Sequence, residues 1–171
     1  MRIQGMKTDA KQTEHLRKLL ESFSTAMLVT RRSSDSLHAR PMAVAGVDGS
    51  LNLWFVSGED TVKIQEISHD TRASVICQKG DSTFLSLSGK ASLVRDRSRI
   101  DELWKESFRV WFPDGKDDPN LILIEFRPER AEYWDPSGFS RIAYLWEAAR
   151  AYVTGTTPEI DEDTHAVVNL R

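Results

Sequence analysis

Three polar side chains interrupt two otherwise apolar stretches: His38 and Arg40 in LHARPMAV, and Lys63 in DTVKIQEIS. The stretch from His38 to Lys63 reads as a strand, an Asp-Gly turn, a second strand and a polar loop that opens a short helix. Arg40 lies within the first strand, next to Pro41. Lys63 lies near the start of the helix, where free backbone N–H groups favour an anion. A strand cation and a helix-start cation, joined by one hairpin, can converge on a phosphate. The alternative is two exposed cations on a barrel rim. On the phosphate reading Arg40 serves a ligand and not the core. His38, two residues earlier, shares the strand face of Arg40. It is read as solvent-facing or as a neighbour of the same ligand.

Other chemistries lack their spacing. The chain has one cysteine, and His15, His38, His69 and His165 have no partner three or four residues away, so no metal site is expected. Neither glycine-rich phosphate loop, G-x-x-x-x-G-K or G-x-G-x-x-G, occurs, and the nucleophile elbow G-x-S-x-G is absent. Cys77, inside the apolar RASVICQ, reads as an inert buried thiol.

The elements that must position these residues follow from periodicity. A first helix is expected over 9–23, with Leu16, Leu19, Leu20 and Phe23 on one face and Asp9 with Gln12 as a capping box. Strands are expected over 26–32, 37–45, 51–57, 72–78 and 83–94. In the longest, Leu85, Leu87, Gly89, Ala91 and Leu93 share one face. Gly89 in mid-strand signals a bulge, a bend or a close backbone approach. A helix over about 61–69 directs Ile64 and Ile67 inward and leaves Lys63, Gln65 and Glu66 towards water or a ligand. Another, over about 98–109, opens on a Ser98–Asp101 capping box. LILIEFR at 121–127 reads as a buried central strand that Pro128 ends, and RAEYWD at 130–135 as a separate one. A last helix is expected over 141–152, followed by a polar surface tail.

Six or seven strands with hairpin-length connections and short helices favour a closed or nearly closed antiparallel barrel, mainly β within an α+β class. The 171 residues fit one domain, 1–171, with its core over about 9–152 and a polar tail over 153–171. A net charge of −3 without a basic tract argues against a nucleic-acid binder. No run reaches the ~20 apolar residues of a membrane span. The first residues lack the apolar core of a signal peptide. With one free cysteine, a soluble cytoplasmic protein is expected. Of the five tryptophans, Trp104 and Trp146 sit on apolar helix faces and read as core. Trp54, Trp111 and Trp134 either wall a flat aromatic ligand, fill a dimer interface or fill the core.

The order LHARPM, DGSLNLWFVS, DTVKIQEISHDTRASV, FLSLSGKASLV, WFPDG and ERAEYWD resembles the small bacterial general stress proteins. These are relatives of pyridoxamine 5′-phosphate oxidase with the FMN-binding split-barrel fold. The resemblance covers about residues 9–152. It implies a six- or seven-stranded Greek-key type barrel and non-covalent FMN. It also implies a homodimer with the flavin between the chains. By position, Arg40 and Lys63 match the residues that hold the FMN phosphate, with Thr61 as a hydroxyl partner. Trp54, Phe55, Val56 and Ser57 match the strand whose backbone lines the ring system. Ala39, Pro41 and Met42 flank the flavin, and Trp111 and Trp134 are candidates for a wall from the second chain. Two departures stand out. The oxidase's substrate lysine, five positions after the arginine, is here Ala45, and the oxidase's R-x-H motif is here Arg141-Ile142-Ala143. Oxidation of pyridoxamine phosphate is therefore not expected. The resemblance leaves three readings. One is an FMN-dependent oxidoreductase using a small molecule or reduced nicotinamide. The second is a non-catalytic flavin reservoir or redox sensor. The third is a split barrel holding a deazaflavin or haem. No catalytic acid or base stands out.

Overall fold

The computed structural model describes residues 10–135 and 165–170. The expected last helix over 141–152 and the Asp9 cap lie outside the described residues. In chain order the elements are α1 (Ala10–Glu21), β1 (Thr25–Arg31), β2 (Leu37–Val47), β3 (Leu53–Gly58), α2 (Val62–His69), β4 (Arg72–Lys79), β5 (Thr83–Val94), α3 (Arg97–Leu103), β6 (Leu121–Trp134) and β7 (His165–Asn169). Two 3-10 turns, Glu106–Val110 and Gly115–Asp117, lie between α3 and β6.

The strands form one sheet in the order β3-β2-β1-β4-β5-β6-β7, and β3 also pairs with β6. That extra pairing closes six antiparallel strands into a barrel, while β7 adds to the free edge of β6. Closure removes most of the exposed strand edge. Strand β6 has two partners on one edge: Leu121–Phe126 pairs with β3, and Arg130–Trp134 pairs with β7. Pro128 sits between the two halves, where the missing N–H costs no ladder bond. The proline therefore does not end the strand, as its sequence suggested, because β5 continues alongside both halves. The other revision at this end is β7. His165–Asn169 falls in the stretch expected to be a polar tail, yet it pairs with β6 and buries Ala166 and Val168.

Alternation along the strands fills the barrel. Leu28, Phe55, Val75, Leu85, Leu87, Ile122, Ile124 and Phe126 are fully buried inside it. Each such large side chain contributes about 1.5–3 kcal/mol by leaving water. Leu16, Leu19, Leu20 and Phe23 join this core from α1 and its C-terminal end, as their spacing predicted. Cys77 also lies here, and burial pushes its thiol up to about 12, so it is an inert packing residue. A second, smaller core lies elsewhere, where Ala45, Trp54, Leu121 and Leu123 meet Ile100, Phe108 and Phe112. The helix leading into it is shorter than its sequence suggested. Asp96, not Ser98, caps α3 by accepting from Arg99 N at 3.2 Å, and the helix stops at Leu103. The chain then turns so that Phe108 packs edge-on to Trp104, with centroids 5.9 Å apart.

The β2–β3 hairpin forms at Asp48, but over five residues instead of the two of an Asp-Gly turn. Val47 pairs with Leu53, and the left-handed residue is Leu51 (φ 65). The Asp48 carboxylate holds the loop by accepting from Ser50 N, Asn52 N and Trp54 Nε1. Among the described residues no helix is long and apolar enough to cross a membrane.

Gly89 occupies the irregular step between β5 and β6. A Cβ there would lie 2.1 Å from Arg127 O and 2.9 Å from Pro128 Cα, both backbone atoms. Gly89→Ala should destabilise the protein by at least ~1–3 kcal/mol. Chemical denaturation measures it, and an unchanged midpoint would contradict the close approach.

Candidate functional site

The barrel is split where β2 and β3 part. They pair only from Val44 opposite Phe55 to Val47 opposite Leu53, with a shift of register between Val44 and Gly46. Beyond that point, residues 37–43 pair with β1 alone, and Val56–Gly58 pairs with β6 alone. Each strand is left with one edge that no strand among the described residues covers. Pro41, which lacks an N–H, is placed where such an edge tolerates it. The diverging halves line a cleft of about 600 Å3.

Most of the residues singled out in the sequence meet in this cleft. Arg40, Pro41 and Met42 come from β2, Val56 and Ser57 from β3, and Thr61 and Lys63 from the start of α2. Trp111 joins them from the end of the 3-10 turn, so it reaches the cleft of its own chain. Four others do not line it. Ala39 lies one position upstream on the exposed face of β2. Trp54 is buried in the second core beneath the Arg99 guanidinium, 4.6 Å from its ring centroid. Phe55 is fully enclosed in the barrel. Trp134 stacks on His165 near the β6–β7 end, with centroids 5.1 Å apart. Both Trp54 and Phe55 pair with β2 on one edge and with β6 on the other, ahead of the point where the strands part.

The cleft also has walls that the strand patterns did not single out. Phe108 and Phe112 extend the aromatic side begun by Trp111. Their signal was the aromatic spacing in WKESFRVWF, which was absorbed into a helix and a loop. Asp60 and Asn120 contribute a polar corner, with Asn120 Nδ2 donating to Asp60 Oδ1 at 3.0 Å. Asn120 lies 60 residues away in sequence, so no local pattern links the two.

The electrostatics rest on one buried carboxylate. Glu66, expected to face water or a ligand, is only 5% exposed. Its Oε2 accepts from Thr30 Oγ1 at 2.6 Å and from Arg40 Nη2, and its Oε1 lies 2.9 Å from His38 Nδ1 and 3.4 Å from Arg32 Nε. Arg40 Nη1 also donates to Leu28 O and Thr30 Oγ1. Burial alone would raise the Glu66 carboxyl. Hydrogen bonds from Thr30 and His38, and the charge and hydrogen bond of Arg40, outweigh it and bring the group from 4.5 to about 2. Lys63 Nζ donates to Ser57 Oγ at 3.2 Å. Burial and then the charge of Arg40 lower its pKa, opposed by Asp60 and Glu66. Thr61, at the N-cap of α2, does not cap it with its side chain but donates to Gly58 O at 2.8 Å. Among the described residues no group of three or more His, Cys, Asp or Glu side chains is placed to hold a metal.

A six-stranded antiparallel barrel, opened between two strands with cations in the opening, defines the protein class: a split barrel. The chain belongs to the Pyridoxamine 5′-phosphate oxidase like family, which it matches over residues 11–159. It is 29% identical over 83 residues to general stress protein 26 of Bacillus subtilis, a match covering 46% of this chain and 59% of that protein. Protein bli-3 of Neurospora crassa is 27% identical over 158 residues, covering 84% of this chain and 75% of that protein. Among solved structures, the putative general stress protein 26 of Jannaschia sp. CCS1 superposes with a TM-score of 0.74 at 25% identity, over 94% of this chain and 99% of that one. The general stress FMN/FAD binding protein of Xanthomonas citri gives 0.61 at 31% identity, over 71% and 86%.

The arginine thus serves the fold as well as the cleft, contrary to the expectation that it serves only a ligand. Arg40→Ala strands a buried carboxylate, for which ~3–5 kcal/mol is typical. The loss should fall at the low end, because His38 and Arg32 remain on Oε1. Because folding lowers the Glu66 pKa, its stabilisation is complete above pH 4.5 and is lost as pH falls towards about 2. Denaturant titrations from pH 6 to pH 2 should show a flatter acid limb in Arg40→Ala than in the wild type. Parallel limbs would mean that Arg40 does not hold Glu66 ionised.

Proposed function

We propose that the cleft binds FMN and that the protein is a flavin-dependent oxidoreductase acting on a small molecule, with reduced nicotinamide as a candidate electron donor. The observation that carries this reading is the meeting of Arg40 and Lys63 in a cleft that Phe108, Trp111 and Phe112 also line. A phosphate suits the two cations and the Thr61 and Ser57 hydroxyls. A flat ring system suits Phe108, Trp111 and Phe112, together with the uncovered strand edges of β2 and β3. The relatives support the same ligand class, since the Xanthomonas citri protein is an FMN/FAD binding protein. FMN is favoured over FAD because the sequence has no dinucleotide fingerprint for an adenosine half. Bound there, FMN would supply the hydride chemistry, while the chain binds, orients and excludes water. Pyridoxamine phosphate is not the expected substrate. Ala45, at the position of the oxidase's lysine, is buried in the second core and offers no charge to the cleft. Arg141 and Ala143 lie outside the described residues.

The same reading includes a homodimer. Pro41, Met27 and Ile76 lie side by side across β2, β1 and β4, and Met27 and Ile76 are large apolar side chains left 37% and 44% exposed. Phe84 and Trp134, paired on β5 and β6, are also partly exposed. A contiguous apolar strip of this kind favours a second copy. Pro41 belongs to both the strip and the cleft, so a docked copy would wall the open side of the flavin site.

Two tests apply. Cofactor released by heat from the purified protein, or bound on reconstitution, should chromatograph as FMN. Lys63→Ala should weaken FMN by about 10- to 100-fold, the loss of one hydrogen bond to a charged group, with riboflavin affinity unchanged. Recovery of FAD, haem or no cofactor would overturn the reading. Turnover of reduced nicotinamide by the loaded protein separates an enzyme from a flavin store. For the dimer, Ile76→Glu should give monomers in sedimentation velocity and release FMN. A wild-type monomer that holds FMN tightly would place the whole site in one chain.

A further inference from the structure

Arg40 reaches the cleft already engaged. A guanidinium carries five N–H groups. Arg40 commits three of them to protein acceptors: two on Nη1, to Leu28 O and Thr30 Oγ1, and one on Nη2, to Glu66 Oε2. The remaining N–H groups, on Nε and Nη2, are what a ligand can use. Glu66 lies on α2 one turn after Lys63, so the same carboxylate that holds the strand cation sits within electrostatic reach of the helix cation. We infer that Glu66 is the resident counter-ion of the cleft: it keeps Arg40 in place when no ligand is bound, and by neutralising it lowers the affinity of the cleft for phosphate. The inference rests on the reading above that the cleft takes a phosphate group.

Three features set the sign. First, the two Nη1 acceptors, Leu28 O and Thr30 Oγ1, are still present when residue 66 is neutral, so Arg40 keeps part of its anchoring while the carboxylate charge is lost. Second, a glutamine at 66 still offers an amide oxygen to Thr30 and Arg40, so the neutral variant keeps these contacts and loses the charge, together with the acceptor that faced Arg32 on the other oxygen. Third, Asp60 also lines the cleft, which balances two cations with two carboxylates before any ligand arrives. Removing one negative charge from a half-buried site raises its potential for an anion. It also leaves Arg40 without its charged partner in the ligand-free protein. Stability and phosphate affinity should therefore move in opposite directions, which a purely structural role for Glu66 does not produce.

The test compares full-length wild type with Glu66→Gln, titrating FMN, riboflavin and inorganic phosphate separately. In Glu66→Gln the affinities for FMN and phosphate should rise about tenfold, riboflavin affinity should stay the same, and the ligand-free melting temperature should fall. Unchanged or weaker FMN and phosphate binding, or equal effects on FMN and riboflavin, would overturn the inference. A gain in phosphate affinity without any flavin binding in the wild type would overturn the flavin reading and leave the counter-ion standing. Should Glu66→Gln fail to fold, Arg32→Met asks the same question in reverse. Arg32 is half-exposed and neutralises Glu66 from the far side, so its loss should weaken FMN and phosphate severalfold. Arg31→Met serves as the control, because Arg31 pairs with Asp35 and Asp70. Equal effects of the Arg31 and Arg32 changes would overturn the inference.

Discussion

The Arg40–Glu66 pair ties together the two elements that the site needs. Arg40 is on β2, Glu66 on α2, and Thr30 on β1 bonds to both. A buried ion pair is a weak source of net stability, since desolvation offsets much of the attraction. Its value here is positional. With the Glu66 carboxylate and three of the five Arg40 N–H groups held by protein hydrogen bonds, α2 has one favourable seat against the barrel, and that seat brings Lys63 to the side of the split where Arg40 lies. Apolar burial of Ile64 and Ile67 attaches the helix, but apolar contact is non-directional and would tolerate a slide or a rotation. The polar contacts do not.

The split itself has a second cause, in the length of β6. A strand of 14 residues cannot keep one partner on its outer edge while the barrel curves. It gives its first half to β3 and its second to β7, with Pro128 at the change. Because β3 follows β6 as far as Gly58, it must leave β2 after Phe55. The uncovered backbone of β2 and β3 therefore follows from how β6 distributes its hydrogen bonds. Such an edge would ordinarily invite pairing with another chain. The second core, built on Phe108 and Phe112, brings a wall of its own to the cleft and helps keep it a pocket.

Much of this was legible in the sequence, and what was not has a common reason. Apolar and alternating runs between turn signals gave five of the strands, β1 to β5, within a few residues. The spacing of Ile64 and Ile67 placed α2, and Gly89 marked the close approach of two backbones. The merging of 121–127 with 130–135 was hidden because a proline is a local breaker, while its tolerance here depends on which neighbour faces it. Strand β7 was hidden because HAVVN is short and follows a long polar stretch. Glu66 was misplaced because helical periodicity assigns a glutamate beside two inward isoleucines to the wet side. Only the arrival of Arg40, 26 residues earlier in the chain, makes it a buried group. Arg40 and Lys63 were legible as a pair, since unlike Glu66 they are cations out of place in apolar patterns. Asp60, Asn120 and Phe108 enter the cleft from loops and turns, where no period constrains the sequence.

The balance of charge at the cleft bears on how such a site can exist without its ligand. Two cations brought close in a half-buried opening repel, and the lowered pKa of Lys63 registers that repulsion after burial. If the site relied on bare positive charge for an anion, the empty protein would bear the whole cost. Glu66 and Asp60 spread compensating charge through the wall, with the buried carboxylate on the arginine and the exposed one near the lysine. The cleft is then close to neutral when empty, and recognition shifts from net charge to placement. That placement consists of the remaining donors of Arg40, the ammonium of Lys63 held by Ser57, and two uncovered strand edges. A site of this kind discriminates by geometry more than by charge, since a ligand gains only where its acceptors meet donors that are already fixed.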